Sequence, residues 1–153
     1  MTPIAAFASQ FGAKVDLNPE FITEKEQRYY LLNPRLRKFA RSDFFHAGLY
    51  LGKAENGVFF PSFSLLNMLL DVAANKVVLD RKAAWLFICG RDVLQKGITK
   101  VSGATQKGSF TLVMNEFGEC LGFGQITEKL NNSENSVVLK NILDIGDFLR
   151  RES

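Results

Sequence analysis

Residues 84–126 read AWLFICGRDVLQKGITKVSGATQKGSFTLVMNEFGECLGFGQI, and the fold turns on this stretch. Apolar runs alternate with Gly90, Gly97, Gly103, Gly108, Gly118, Gly122 and Gly124. The run Trp85–Cys89 predicts a buried helical turn. Gly90 ends it, being the residue type suited to the left-handed position after a helix. Strands are predicted at Ile98–Val101, Phe110–Met114 and Glu119–Ile126. Closely spaced short strands with glycine turns point to a small barrel. Gly122 and Gly124 fall inside the last strand, where glycine marks a sharp bend or a close backbone approach.

Upstream of this stretch, Lys76–Leu79 reads as a strand. Before it, Ser62 can cap a helix that is apolar over most of its circumference through Leu65, Leu66, Met68, Leu69, Leu70 and Val72, which predicts a buried central helix ending near Asn75. Asn56-Gly57 is a hairpin signal joining a strand over Phe44–Lys53 to Val58–Phe60. Asn33-Pro34 starts a helix that places Leu36, Phe39 and Ala40 on one face. Its Arg35, Arg37, Lys38 and Arg41 form either a solvated face or a patch that touches phosphates. Arg28–Leu32 reads as a strand. Gly12 closes a short N-terminal helix, and Asn18-Pro19 opens another short element. Downstream, residues 128–136 are a polar loop, and Val137–Leu143 is a strand whose Lys140 should share a face with Val138 and Ile142. Asp144 then caps a final helix with Ile145, Phe148 and Leu149 on its buried side. The domain boundary is placed at Asn75–Lys76. No Pro/Ser-rich linker lies there, so the two halves should pack closely.

The chain has 153 residues, is 46% hydrophobic and 23% charged, and carries a net charge of +3. It can therefore build a real core and is not a disordered segment. Residues 1–75 hold 8 basic and 7 acidic side chains, and residues 76–153 hold 11 and 9. An acidic partner must therefore be recognised by the arrangement of charges and not by their total. Cys89 and Cys120, both in apolar sequence, read as buried thiols of a reducing compartment. The N-terminus lacks the basic region of a signal peptide, and no apolar run is long enough to span a membrane.

Catalytic patterns are missing. The one histidine, His46, stands among Phe44, Phe45 and Ala47 and reads as structural. The cysteines lack metal-ligand spacing, no phosphate-binding loop occurs, and Gly122-Phe123-Gly124 lacks the third glycine of a dinucleotide fingerprint. A protein without metal, cofactor or active site is expected. What remains is basic side chains on a small barrel: Arg91, Lys96, Lys100, Lys107, Lys129, Lys140, Arg150 and Arg151, the types that neutralise a phosphate backbone.

The order CGRDVL, KGI, KG and GECLGFG resembles the PUA domain, an RNA-binding pseudo-barrel. With LGKAENGVFFPSF upstream and DIGDFLRRE downstream, the chain resembles the two-domain PUA factors that help mature the large ribosomal subunit, the Nip-seven family of archaea and eukaryotes. The resemblance implies an α+β architecture, with an N-terminal α/β pre-PUA domain (residues 1–75) followed by a C-terminal PUA pseudo-β-barrel (76–153). It implies a non-catalytic protein of ribosome biogenesis whose barrel contacts pre-rRNA and whose N-terminal domain contacts ribosome-assembly proteins. Such a protein is expected to be monomeric, off the membrane, and cytoplasmic in an archaeon or nuclear and nucleolar in a eukaryote. The expected RNA-binding residues are Lys129, Lys140, Arg150 and Arg151, with Arg91 and Lys96 beside them. Two alternatives stay open at this point: an accessory or RNA-modification protein with a PUA domain, and a protein-interaction adaptor with little RNA affinity.

Overall fold

A computed structural model describes residues 2–15, 17–32, 48–130 and 135–151, without the side chains of Phe148 and Arg151. Helix α1 (Pro3–Ser9) starts where Thr2 Oγ1 accepts the Ala5 N–H at 3.1 Å, and Gly12 beyond it takes φ +67°. Strands β1 (Ile22–Lys25) and β2 (Arg28–Leu32) are joined by Glu26 and Gln27, and β3 (Gly48–Glu55) and β4 (Val58–Pro61) by Asn56 and Gly57. All four turn residues have positive φ, the backbone that matches strand twist in a two-residue hairpin. The four strands form one antiparallel sheet in the order β1-β2-β3-β4.

Helix α2 (Phe63–Leu69) is capped by Ser62, whose Oγ accepts the Leu65 N–H at 3.1 Å. It is shorter than the apolar pattern predicts, and Val72 is exposed. The chain leaves the helix early because Ala74 N and Asn75 N both bond to the Phe11 carbonyl, at 3.0 Å each, beside the end of α1.

The second sheet is built from β5 (Lys76–Leu79), β6 (Val93–Leu94), β7 (Ile98–Ser102), β8 (Phe110–Met114), β9 (Cys120–Ile126) and β10 (Val137–Asp144), in the order β6-β10-β9-β8-β5-β7. Every pair is antiparallel except β5 with β8. The sheet curls into a half-barrel, the PUA pseudo-barrel topology, with helix α3 (Arg81–Ile88) between β5 and β6 and helix α4 (Ile145–Arg151) after β10. Gly122, at φ +147°, sits at the bend of β9, where a Cβ would strike the Leu143 carbonyl of β10. No strand is shared between the two sheets.

One hydrophobic core nevertheless joins them. Ile4, Phe7 and Phe11 of the N-terminal segment pack with Leu51, Leu65 and Leu69, and also with Leu112, Cys120 and Phe123 of the barrel sheet. The ring of Phe123 meets those of Phe7 and Phe11 edge-on, each at a centroid distance of 5.5 Å. A second core lies inside the barrel, around Val77, Phe87, Val113, Ile126 and Leu139.

Three expectations need correction, and others are not tested. In the run Trp85–Cys89 only Phe87 is buried, because α3 lies on the barrel by one narrow face, so Trp85 is 64% exposed and Cys89 is exposed too. On α4, Ile145 and Leu149 do not face the core, and Leu149 is 68% exposed. Among its described side chains the helix is held by polar ties, described below. On β10, Val138 is buried while Lys140 and Ile142 are exposed, since register shifts on both flanks interrupt simple alternation. The predicted helix after Asn33-Pro34, the start of the Phe44–Lys53 strand and His46 lie outside the described residues.

Candidate nucleic-acid interface

The basic candidates are spread along β10 and its flanks, and Arg91 and Arg150 stand at the corner where α3, β10 and α4 meet. Asp80 caps α3, its Oδ1 accepting the Ala83 N–H at 2.8 Å. The helix ends with Gly90 at φ +91°, Gly90 N bonded to Phe87 O at 2.9 Å and Arg91 N to Leu86 O at 3.0 Å. This paired closure turns the chain sharply and leaves Arg91 at the surface. The amide of Asn141 on β10 fastens the corner. Its Nδ2 donates to Phe87 O at 2.8 Å and to Asp144 Oδ2 at 3.1 Å, while its backbone N–H donates to Asp92 Oδ1 at 2.9 Å.

Asp144 is buried and starts α4 by accepting the Asp147 N–H at 2.8 Å. Arg150, one turn further on, reaches back. Its Nη1 donates to Ile88 O at 2.9 Å, and its Nη2 lies 3.4 Å from Asp144 Oδ1. The guanidinium thus balances a buried carboxylate and sits on the C-terminal carbonyls of α3, where a cation is favoured by the helix dipole. Gly146 allows this approach, since a Cβ there would strike the Ile88 carbonyl.

The six sequence candidates divide accordingly. Lys140 is exposed at the middle of β10, opposite Gln125 of β9. Arg91 is next to it, its carbonyl 3.4 Å from the Asn141 amide. Lys96 and Lys129 lie toward the other end of β10. Lys96 is in the turn whose Gln95 N bonds Ser136 O, and Lys129 precedes Leu130, whose N–H bonds Thr105 O beside the loop carrying Lys107. Arg150 is engaged within the fold, and the side chain of Arg151 lies outside the described residues. Lys140, Arg91, Lys96 and Lys129 are all exposed along this strand and its flanks.

Sequence reading overlooked the outer face of α3. Arg81, Lys82, Trp85, Leu86 and Cys89 are all exposed there. A basic pair followed by an aromatic at helical spacing was the available signal, but the apolar run beside it reads as core. The other cysteine, Cys120, is buried, and burial pushes its thiol up to about 11, which keeps it neutral and unreactive at physiological pH. Among the described residues no three His, Cys, Asp or Glu side chains cluster to hold a metal. No described helix is long and apolar enough to cross a membrane. A separate cleft of about 1040 Å³ opens between α1, the β3–β4 hairpin and the barrel, floored by Phe7, Phe59, Phe110 and Phe123 and rimmed by Lys53 and Asp147.

The half-barrel with its capping helices, set behind an α/β region, is that of a PUA-domain protein. The chain belongs to the UPF0113 PUA domain family, whose model matches residues 75–153. A UPF0113 protein of Archaeoglobus fulgidus is 30% identical over 88 residues, covering 55% of this chain, and the match spans half of that relative's length. A conserved PUA domain protein from Thermoplasma acidophilum has the same fold, with a TM-score of 0.65 at 18% identity over 99% of this chain and 96% of its own. So has a PUA domain protein from Aeropyrum pernix, with a TM-score of 0.56 at 13% identity over 94% and 82%.

Proposed function

We propose that this is a non-catalytic RNA-binding protein of ribosome biogenesis, acting in the processing or assembly of large-subunit pre-rRNA. In this reading residues 76–153 contact RNA, and residues 1–75 form a pre-PUA domain that contacts assembly proteins. The observation that carries it is the run of exposed cations along β10 and its flanks, Lys140 with Arg91, Lys96 and Lys129, on a fold of the PUA class. Cations presented this way bind phosphates by charge and counterion release, without needing a deep pocket. The aromatic cleft against α1 and the β3–β4 hairpin supports a protein-binding role for the N-terminal half, since apolar concave surfaces suit partner side chains. Crosslinking of the protein to RNA in cells, followed by sequencing, tests the proposal. Recovery of large-subunit pre-rRNA is the expected result. Recovery of no RNA above a mock control, or of RNA unrelated to ribosomes, would overturn it.

A further inference from the structure

We infer that the outer face of α3 is a stacking platform for unpaired RNA bases, with Trp85 as the stacking ring and Arg81 and Lys82 as its phosphate contacts. The inference rests on the RNA-binding reading above and names the form of RNA recognised. Trp85, the chain's one tryptophan, is 64% exposed on a helix that buries Phe87 against the barrel. A large flat aromatic left in water, when Phe87 two residues away is fully buried, contributes nothing to the core.

The charges around it point the same way. At 100° per residue, Arg81, Trp85 and Cys89 form one row along the helix, and Lys82 and Leu86 form the next. The turn carrying Lys96 closes against the same helix: Gly97 O accepts the Asp80 N–H at 2.9 Å, and a Cβ on Gly97 would meet that of Ala83. Ala83 lies about 160° around the helix from Trp85, so that turn buttresses the packed side and leaves the outer face to Arg81 and Lys82. The first turn of α3 contains no acidic residue. Two cations there oppose the helix dipole, so helix stability gives no reason for them. The carboxylate that precedes them in sequence, Asp80, is turned into the cap on Ala83. An exposed aromatic plane flanked by two cations, in a first turn without acidic residues, is complementary to a base and its flanking phosphates. A helix-binding protein partner would favour a wider apolar stripe, and here only Leu86 extends it.

Because Trp85 is the chain's one tryptophan, its fluorescence reports on the platform directly. Binding of a fluorescein-labelled single-stranded RNA of mixed sequence is followed by anisotropy, and quenching of Trp85 is followed in parallel with the unlabelled strand. The same RNA annealed to its complement serves as the duplex probe. We expect quenching that saturates with the anisotropy, weaker binding of the duplex, and a loss of about tenfold in single-strand affinity for Trp85→Ala. Trp85→Phe should retain most of that affinity. The exposed position predicts an unchanged melting temperature, which is measured for both variants. Binding seen by anisotropy without quenching, together with unaltered affinity in Trp85→Ala, would overturn the platform and leave the RNA-binding reading standing. Duplex binding as tight as single-strand binding would overturn the preference for unpaired bases. Absence of any anisotropy change would overturn the RNA-binding reading and the platform with it.

Discussion

Arg150 and Lys140 are two cations on one surface with opposite expected roles, and substituting each alone separates them. Arg150→Ala removes the donor to Ile88 O at 2.9 Å and the cation beside the buried Asp144 carboxylate. Asp144 keeps the Asp147 N–H and the Asn141 amide, so its carboxylate is not stripped of partners. A hydrogen bond to a charged group is worth about 1.5–3 kcal/mol, and the half-exposed guanidinium discounts this, giving a loss of about 1–2 kcal/mol. For a chain of this length that corresponds to a fall in melting temperature of roughly 2–8 °C. Lys140→Ala should change stability by less than about 0.5 kcal/mol, since Lys140 is exposed and, among the described residues, pairs with no carboxylate. If Lys140 neutralises one phosphate, its loss should reduce the slope of log affinity against log salt by about 0.7–0.9. Thermal unfolding by circular dichroism and RNA titration across salt concentrations measure the two effects. A reduced salt slope with an unchanged melting temperature in Arg150→Ala would refute the reasoning, because the guanidinium would then be on RNA and not on Asp144 and α3.

Asn75→Ala should destabilise by about 2–4 kcal/mol, read from the urea midpoint, because it leaves the Phe110 carbonyl and the Ala104 N–H without the partners now at 3.0 and 2.9 Å inside the joint between the two halves. A loss under about 0.5 kcal/mol would show that water replaces those bonds freely. Cys120 gives a pH prediction. Its folded thiol is raised from the ordinary 9.0 to about 11, so the native state holds a proton that the unfolded chain releases. The associated stability is complete below pH 9 and is lost as pH rises toward about 11, with a slope of at most about 1.4 kcal/mol per pH unit. Cys120→Ala should flatten that alkaline limb, and an unchanged limb would assign it to other groups. Under native conditions a thiol reagent should label exposed Cys89 and spare Cys120, with peptide mapping as the readout.

The elements whose shape is local were legible in the sequence. Phe110–Met114, Lys76–Leu79 and Arg28–Leu32 are strands with the bounds their apolar and aromatic residues predict, and Asn56-Gly57 and Gly90 make the turns their backbone freedom favours. Ser62 and Asp144 act as caps because a short oxygen-bearing side chain before an apolar run can satisfy a helix's first N–H groups whatever surrounds it. Which face of an element meets the core was a different matter. Trp85 reads as buried and is exposed, and Leu149 does the same on α4, because the tilt of a short helix on the barrel is set by contacts with distant strands. The role of Arg150 depended on Ile88, 62 residues away, and that of Asn75 on Gln10, 65 residues away. Spacing and turn residues pointed to a small barrel, and the resemblance to PUA proteins implied an α/β region before it. Only the tertiary structure decided which cations stay at the surface and which is spent inside the fold, since that depends on where a buried carboxylate and a helix's last carbonyls come to rest.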